Sequence, residues 1–196
     1  MATMTRQESV MQAKLPGRGR VGMFSLIAAE SAIFTIFVVA YLFYLGKSLT
    51  GPSPRDVLDP PVLDTVCLLL SSVTIYAGVR DLRRGQTIRF ASWWAATIAL
   101  GGAFLYGTAR EWRRLIYQSG LTISTNLFGT TYYALVGLHG VHVIVGLICL
   151  SLVMVFALLG VVQRQHAERA DVLSLYWHFV DVVWVVVFTV VYVIGR

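Results

Sequence analysis

Five long apolar runs, separated by short polar and basic stretches, set the pattern of the chain. A membrane helix needs about 20 mostly apolar residues to cross roughly 30 Å of hydrocarbon. The runs at about 21–45, 62–79, 88–108, 129–159 and 173–194 meet that test with few ionisable residues inside them. At 1.5 Å of rise per residue the fourth is about 46 Å long, too long for the bilayer alone, and it is expected to project into water at its C-terminal end. Pro16, Pro52, Pro54, Pro60 and Pro61 all precede the second span or stand at its threshold, so no span should carry a proline kink. The expected fold is all-α: a polytopic membrane protein built as a five-transmembrane-helix bundle over residues 21–196, preceded by a cytoplasmic segment at 1–20. No fixed-period repeat or loop long enough for a separate domain interrupts it.

Composition agrees with this pattern. Of the 196 residues 57% are hydrophobic and 13% charged, about half the roughly 25% charge of a soluble domain, which excludes a water-soluble exterior. The net charge of +6 does not point to nucleic acid, because the basic residues fall in short clusters between apolar runs, as in membrane loops. Residues 1–22 are polar and basic with no apolar stretch, unlike a cleavable signal, so the first run reads as a retained span. Arg6, Lys14, Arg18, Arg20, Arg80, Arg83, Arg84, Arg89, Arg164 and Arg169 fall on the N-terminal side of the membrane. Lys47, Arg55, Arg110, Arg113, Arg114 and Arg196 fall opposite. This bias predicts a cytoplasmic N-terminus and a C-terminus on the other side. Cys67 and Cys149 both lie inside apolar runs and offer neither a disulfide framework nor a thiolate metal cluster.

In the third span Ala91, Ala95, Ala99, Ala103 and Gly107 recur at i, i+4 spacing, a helix-packing ridge of small side chains that lets another backbone approach closely. The ridge is expected to face protein, within this chain or in another. Glu30, His139, His142, His178 and Asp181 lie inside spans, where a charge costs at least about 2.5–3.5 kcal/mol unless paired or neutral. Glu30 sits about 14 Å and Asp181 about 12 Å along their helices from the cytoplasmic side. His142, counted from the other face, reaches a similar depth. An imidazole can share the proton of a buried carboxyl or pair with its charged form, and Glu30 with His142 is the preferred pair. His178, Asp181, Val185 and Tyr192, at i, i+3, i+7 and i+14, put the polar groups of the last span on a stripe expected to face the bundle. These groups read either as a proton path or as hydrogen-bonded ties between helices.

Other chemistry fits poorly. His139 and His142 share one helical face and cannot both be axial ligands on opposite sides of a haem, so His178 would have to supply the second, leaving Glu30 and Asp181 unexplained. Repeated Glu-x-x-His pairs of a di-iron site are missing, as are a phosphate loop, a nucleophile elbow and a zinc helix. Glu111, followed by Trp112, Arg113 and Arg114, reads as an interfacial anchor with tryptophan at the headgroups and snorkelling arginines.

Two segments are more specific: G-T-T-Y-Y-A-L-V-G-L-H-G-V-H-V from Gly129 to Val143, and Y-W-H-F-V-D-V-V-W from Tyr176 to Trp184. Together they resemble subunit III of the haem-copper terminal oxidases in its short five-helix bacterial form. Ala29-Glu30-Ser31 is similar to the acidic position in that form's first helix, and Glu111-Trp112 to the family's E-W pair. The likeness runs from Gly22 to Gly195.

The resemblance implies a non-catalytic accessory subunit in the bacterial cytoplasmic membrane. It implies no haem, copper or other metal in this chain, those cofactors being held by partner subunits, and bound phospholipid is expected. The implied partners are oxidase subunit I, the catalytic chain in direct contact, and subunit II with other respiratory subunits. In such complexes the subunit supports proton uptake and protects the catalytic chain while oxygen is reduced. Residue by residue, Glu30 matches the family's buried carboxylate and His142 its associated histidine. His139, Trp177, His178 and Asp181 match motif positions of structural character, as does Glu111. The seven-helix members have two further helices at the start with no counterpart here, so a lipid cleft built on them does not carry over. Arg164, late in an extended fourth helix, is not assigned to a lipid headgroup. Glu30 and Tyr176 lean toward cytochrome c as electron donor, with a quinol oxidase or a nitric-oxide-reductase-associated relative as alternatives. Outside this family, a free-standing proton-coupled carrier or a b-type cytochrome would account for the buried polar residues.

Overall fold

The computed structural model describes residues 17–48 and 51–195. Arg6, Lys14, Pro16 and Arg196, used above for orientation and helix breaking, lie outside the described residues, as does most of the 1–20 segment. Five helices are long and apolar enough to cross a membrane: α1 Arg18–Tyr44, α2 Val62–Arg83, α3 Thr87–Tyr117, α4 Leu127–Leu158 and α5 Ala167–Phe188. The last is preceded by a 3₁₀ turn at Arg164–His166 and continues as a π-helical stretch at Thr189–Ile194. One further helical turn, Pro54–Val57, lies between α1 and α2. No strand occurs among the described residues.

Local chemistry sets where the helices start and stop. Pro61 precedes α2, where its missing N–H costs nothing, and Asp64 in the first turn with Arg80 and Arg83 in the last complements the helix dipole. Asn126 caps α4 by accepting from the Gly129 amide at 2.8 Å. Between α2 and α3 the chain turns through Gly85 at φ 78°, a conformation L side chains rarely adopt.

α2 and α3 form an antiparallel hairpin, and α5 lies at the centre, touching α1, α2 and α4. α1 leans mainly on α4 and α5, and most of its surface is exposed. Its exposed residues include Phe24, Ile33, Ile36, Val39 and Phe43, as suits a helix bathed in lipid. At one end of the bundle Arg20 of α1 and Arg83 of α2 each reach Asp171 of α5 at 2.5 Å, tying three helix ends together. At the other end Arg114 of α3 pairs with Asp59 at 2.5 Å.

The boundaries depart from the expected spans in two informative places. α3 runs nine residues beyond 108, and its C-terminal turns bring Glu111 and Trp112 onto the bundle. The fourth helix stops at Leu158, and the chain turns at Gly160, φ 71°. Arg164 therefore sits in a separate 3₁₀ turn, not late in an extended helix.

Two glycines outside the alanine ridge make room for a large side chain. Trp177 of α5 is wholly buried between Gly101 of α3 and Gly146 of α4, where an added Cβ would meet its ring at 2.8 Å in each case. Along the ridge itself only Gly107 is buried, with the Asp64 carboxyl laid against it. Ala91 is half-buried, and Ala95, Ala99 and Ala103 are exposed, so they pack on no helix of this chain. Gly146→Ala should therefore destabilise the chain by about 1–3 kcal/mol through overpacking. Ala99→Leu on the exposed ridge should stay within about 0.5 kcal/mol. Thermal unfolding of the purified chain in mild detergent compares the two, and equal midpoints would contradict this packing.

Candidate functional site

The span residues singled out in the sequence occupy four separate places around α5. On one side, Glu30 of α1 meets His142 of α4, with Oε2 and Nε2 3.1 Å apart. His142 Nδ1 lies 2.8 Å from the Leu138 carbonyl one turn back on the same helix. A carbonyl can only accept, so Nδ1 carries a proton and Nε2 faces Glu30. The contact then holds one proton, either on the carboxyl with the imidazole accepting, or on the imidazole with the carboxylate accepting. Phe34, one turn after Glu30, covers the ring at 4.9 Å between centroids, and the Tyr176 hydroxyl donates to the His142 carbonyl at 3.1 Å. The pair is a half-buried contact between two helices, and its one proton can sit on either member.

On the other side of α5, hydroxyls of α2 receive its polar groups. Trp177 donates its indole N–H to Ser71 Oγ at 2.8 Å, and Trp184, two turns on, donates to Thr65 Oγ1 at 3.0 Å. Between them Ser72 Oγ donates to the Asp181 carboxylate and lies 2.9 Å from His178 Nδ1. These hydroxyls escaped the sequence reading, because serine and threonine in a span usually bond their own helix. The available signal was spacing: two tryptophans seven residues apart on α5 opposite hydroxyls six apart on an antiparallel helix.

His139 is in a third environment. It is buried between the rings of Phe104, 5.7 Å away, and Trp184, 5.0 Å away, and neither ring nitrogen has a partner among the described residues. The three span histidines thus face three different surroundings, and no two converge as a haem would need. No group of three metal-ligating side chains forms among the described residues.

Toward the end of the bundle carrying Asp59 and Arg114, Glu111 turns inward. This corrects its reading as an interfacial anchor. Tyr192 donates to its carboxylate, with the hydroxyl 2.9 and 3.0 Å from the two oxygens, and lies 3.3 Å from the Tyr132 hydroxyl. Trp112 packs on Tyr133 at 5.2 Å. The inward turn follows from the C-terminal geometry of α5. The π-helical stretch, with Gly195 N–H bonding Val190 C=O, widens the last turns and keeps Tyr192 buried. Val185, on the same nominal stripe, is exposed. A cavity of about 940 Å³ opens beside Glu111, lined by Asp59, Asp64, Arg110, Arg113 and Arg114.

Tyr192→Phe removes the donor to both Glu111 oxygens and should cost about 1–3 kcal/mol, the penalty of a buried acceptor left without its bond. Glu111→Gln keeps an acceptor for Tyr192 and should cost less. Thermal unfolding of both variants checks the order, and a Tyr192→Phe midpoint equal to wild type would show that the bond carries no stability.

Known proteins place this geometry in a family. The family model described as cytochrome c oxidase subunit III matches residues 17–196. The chain is 32% identical over 186 residues to cytochrome c oxidase subunit 3 of Bacillus sp. (strain PS3), covering 93% of this chain and 89% of the relative. It is 36% identical over 177 residues to the protein of that name from Synechocystis sp., covering 88% and 74%. To cytochrome bo(3) ubiquinol oxidase subunit 3 of Pseudomonas aeruginosa it is 31% identical over 176 residues, covering 89% and 84%. A family match over residues 17–196 and relatives more than 30% identical over most of both chains agree with five membrane-length helices, and the chain belongs to the cytochrome c oxidase subunit III family.

Proposed function

We propose that this chain is a non-catalytic accessory subunit of an aerobic haem-copper oxidase in a bacterial cytoplasmic membrane, with its N-terminus in the cytoplasm. The observation that carries the reading is the family match over residues 17–196, joined to a bundle whose polar side chains are mostly engaged with one another. Each of Glu30, His142, His178, Asp181 and Glu111 already has a partner in the chain. Such a bundle is suited to packing beside a redox chain, and haem and copper belong to the catalytic partner.

Subunit I is the direct neighbour in this reading, with subunit II and other respiratory chains in the same complex. Phospholipid fills the exposed apolar faces that remain. Glu30 and His142 support proton uptake into the catalytic chain, since their half-buried contact holds one transferable proton. Cytochrome c is the electron donor, bound by other subunits. Relatives named for cytochrome c oxidase and for ubiquinol oxidase match this chain at similar identity, so the donor is read from the assembled complex.

Affinity purification of the full-length chain from native membranes in mild detergent, followed by mass spectrometry and a reduced-minus-oxidised spectrum, tests the assignment. A large multi-helix partner with a- or o-type haem bands is expected. A colourless chain purifying alone would overturn it and favour a free-standing carrier, and a haem stoichiometric with this chain alone would favour a b-type cytochrome. In the assembled complex Glu30→Ala should keep oxygen reduction within about threefold of wild type, because no contact to a reacting atom is removed. Proton uptake should slow or turnover-linked inactivation quicken. Complete loss of oxygen reduction with haem content intact would contradict the accessory role.

A further inference from the structure

The Ser72–His178–Asp181 group has an open end. Ser72 has a single hydroxyl proton and two neighbours that compete for it. When it donates to an ionised Asp181, it accepts from His178 Nδ1–H, and Nε2 is left as a bare acceptor. When Asp181 is protonated and donates to Ser72, the hydroxyl turns to Nδ1 and Nε2 carries the proton as a donor. In either state Nε2 has no hydrogen-bond partner among the described residues, and the imidazole is half-buried at the bundle surface. His178 lies seven residues, about 10 Å, further along α5 than the Asp171 ionic knot. At that depth the bilayer offers hydrocarbon and no water.

Other surface polar groups of the spans behave differently. Ser31, Thr35 and Thr189 are exposed on their spans, and each bonds a carbonyl of its own helix at 2.7–2.8 Å. Lipid can cover such groups at little cost. A nitrogen facing acyl chains without a partner cannot be covered in that way, because an unmet polar group in hydrocarbon costs several kcal/mol. Leu69, one turn before Ser72 on α2, and Val182 and Val185, one and two turns after His178 on α5, are exposed apolar side chains.

We infer that the seam between α2 and α5 centred on His178 is a docking surface for a transmembrane helix of a partner chain, which brings a hydroxyl side chain to His178 Nε2. A hydroxyl can donate or accept, and so it fits both proton arrangements of the Ser72 group. Phospholipid does not fit, since its ester and phosphate oxygens lie nearer the membrane surface. The partner, as a chain of an oxidase complex, rests on the function proposed above; the docking surface rests on the open nitrogen.

The test is photo-crosslinking in native membranes, with a photoreactive phenylalanine analogue replacing Val182, combined with His178→Leu and His178→Gln in the full complex. The expected result is an adduct from position 182 to a membrane-spanning segment of another chain. Under a detergent wash, retention of His178→Leu should fall about tenfold, equivalent to about 1.4 kcal/mol, while His178→Gln, which still offers polar atoms, is retained. His178→Leu leaves the Ser72–Asp181 bond in place, and Val182→Trp, which adds bulk on the seam, should weaken retention without touching that group. Adducts to lipid or detergent alone, or retention of His178→Leu equal to wild type, would overturn the inference. An adduct to a protein outside any oxidase would support the docking surface and refute the oxidase assignment, so the two failures are told apart.

Discussion

Hydrocarbon supplies no hydrogen bonds, and that constraint organises this protein around its last helix. Two tryptophans, a histidine and an aspartate on α5 would each be costly against lipid. The fold answers by laying α2 antiparallel along α5, so that Thr65, Ser71 and Ser72 receive Trp184, Trp177 and the His178–Asp181 pair in turn. Placing Trp177 there requires room on the other two sides, which Gly101 and Gly146 provide. Position and packing are thus coupled: the indole must be deep to reach Ser71, and only glycines on α3 and α4 admit it at that depth.

The polar groups on opposite sides of α5 serve different ends. The α2 side is a row of neutral donors and acceptors closed by one carboxyl, with the character of a helix clamp. The α1 side joins a single carboxyl to a single imidazole under an aromatic cover, and its contact holds one proton shared by two acceptors. α1 buries little besides this pair and the residues around Phe34 and Tyr41. A change at Glu30 is therefore communicated first to the placement of α1, while the clamp between α2 and α5 is left intact.

Much of the fold was legible because lipid exposure imposes length on apolar runs: five runs gave five helices, with ends shifted by a few residues at most places. The proximity of Glu30 and His142 was legible from depth alone, since two costly groups at one level in a small bundle have few other partners. The hydroxyl partners of α5 were not, because a serine bonded to its own helix and one bonded across helices look alike in sequence. The alanine ridge was expected to face protein in this chain or in another, and within this chain only Gly107 of it is buried, against the Asp64 carboxyl, while Ala95, Ala99 and Ala103 stay exposed and Trp177 is accommodated at Gly101 on another face of the helix. Tyr192 is buried as its place on the stripe of the last span requires, while Val185, one turn before the π-helical stretch at Thr189–Ile194, is exposed.

The account stands or falls on the indole clamp between α2 and α5. A double-mutant cycle on Trp177→Phe and Ser71→Ala, read by thermal unfolding of the purified protein in mild detergent, isolates that bond from the ring's packing. The two changes should be less costly together than the sum of each alone, with a coupling of about 1 kcal/mol, the size of a membrane-buried hydrogen bond between side chains. Strictly additive losses would mean that Trp177 contributes through its volume only, and that the hydrogen-bonded spine does not hold the bundle together.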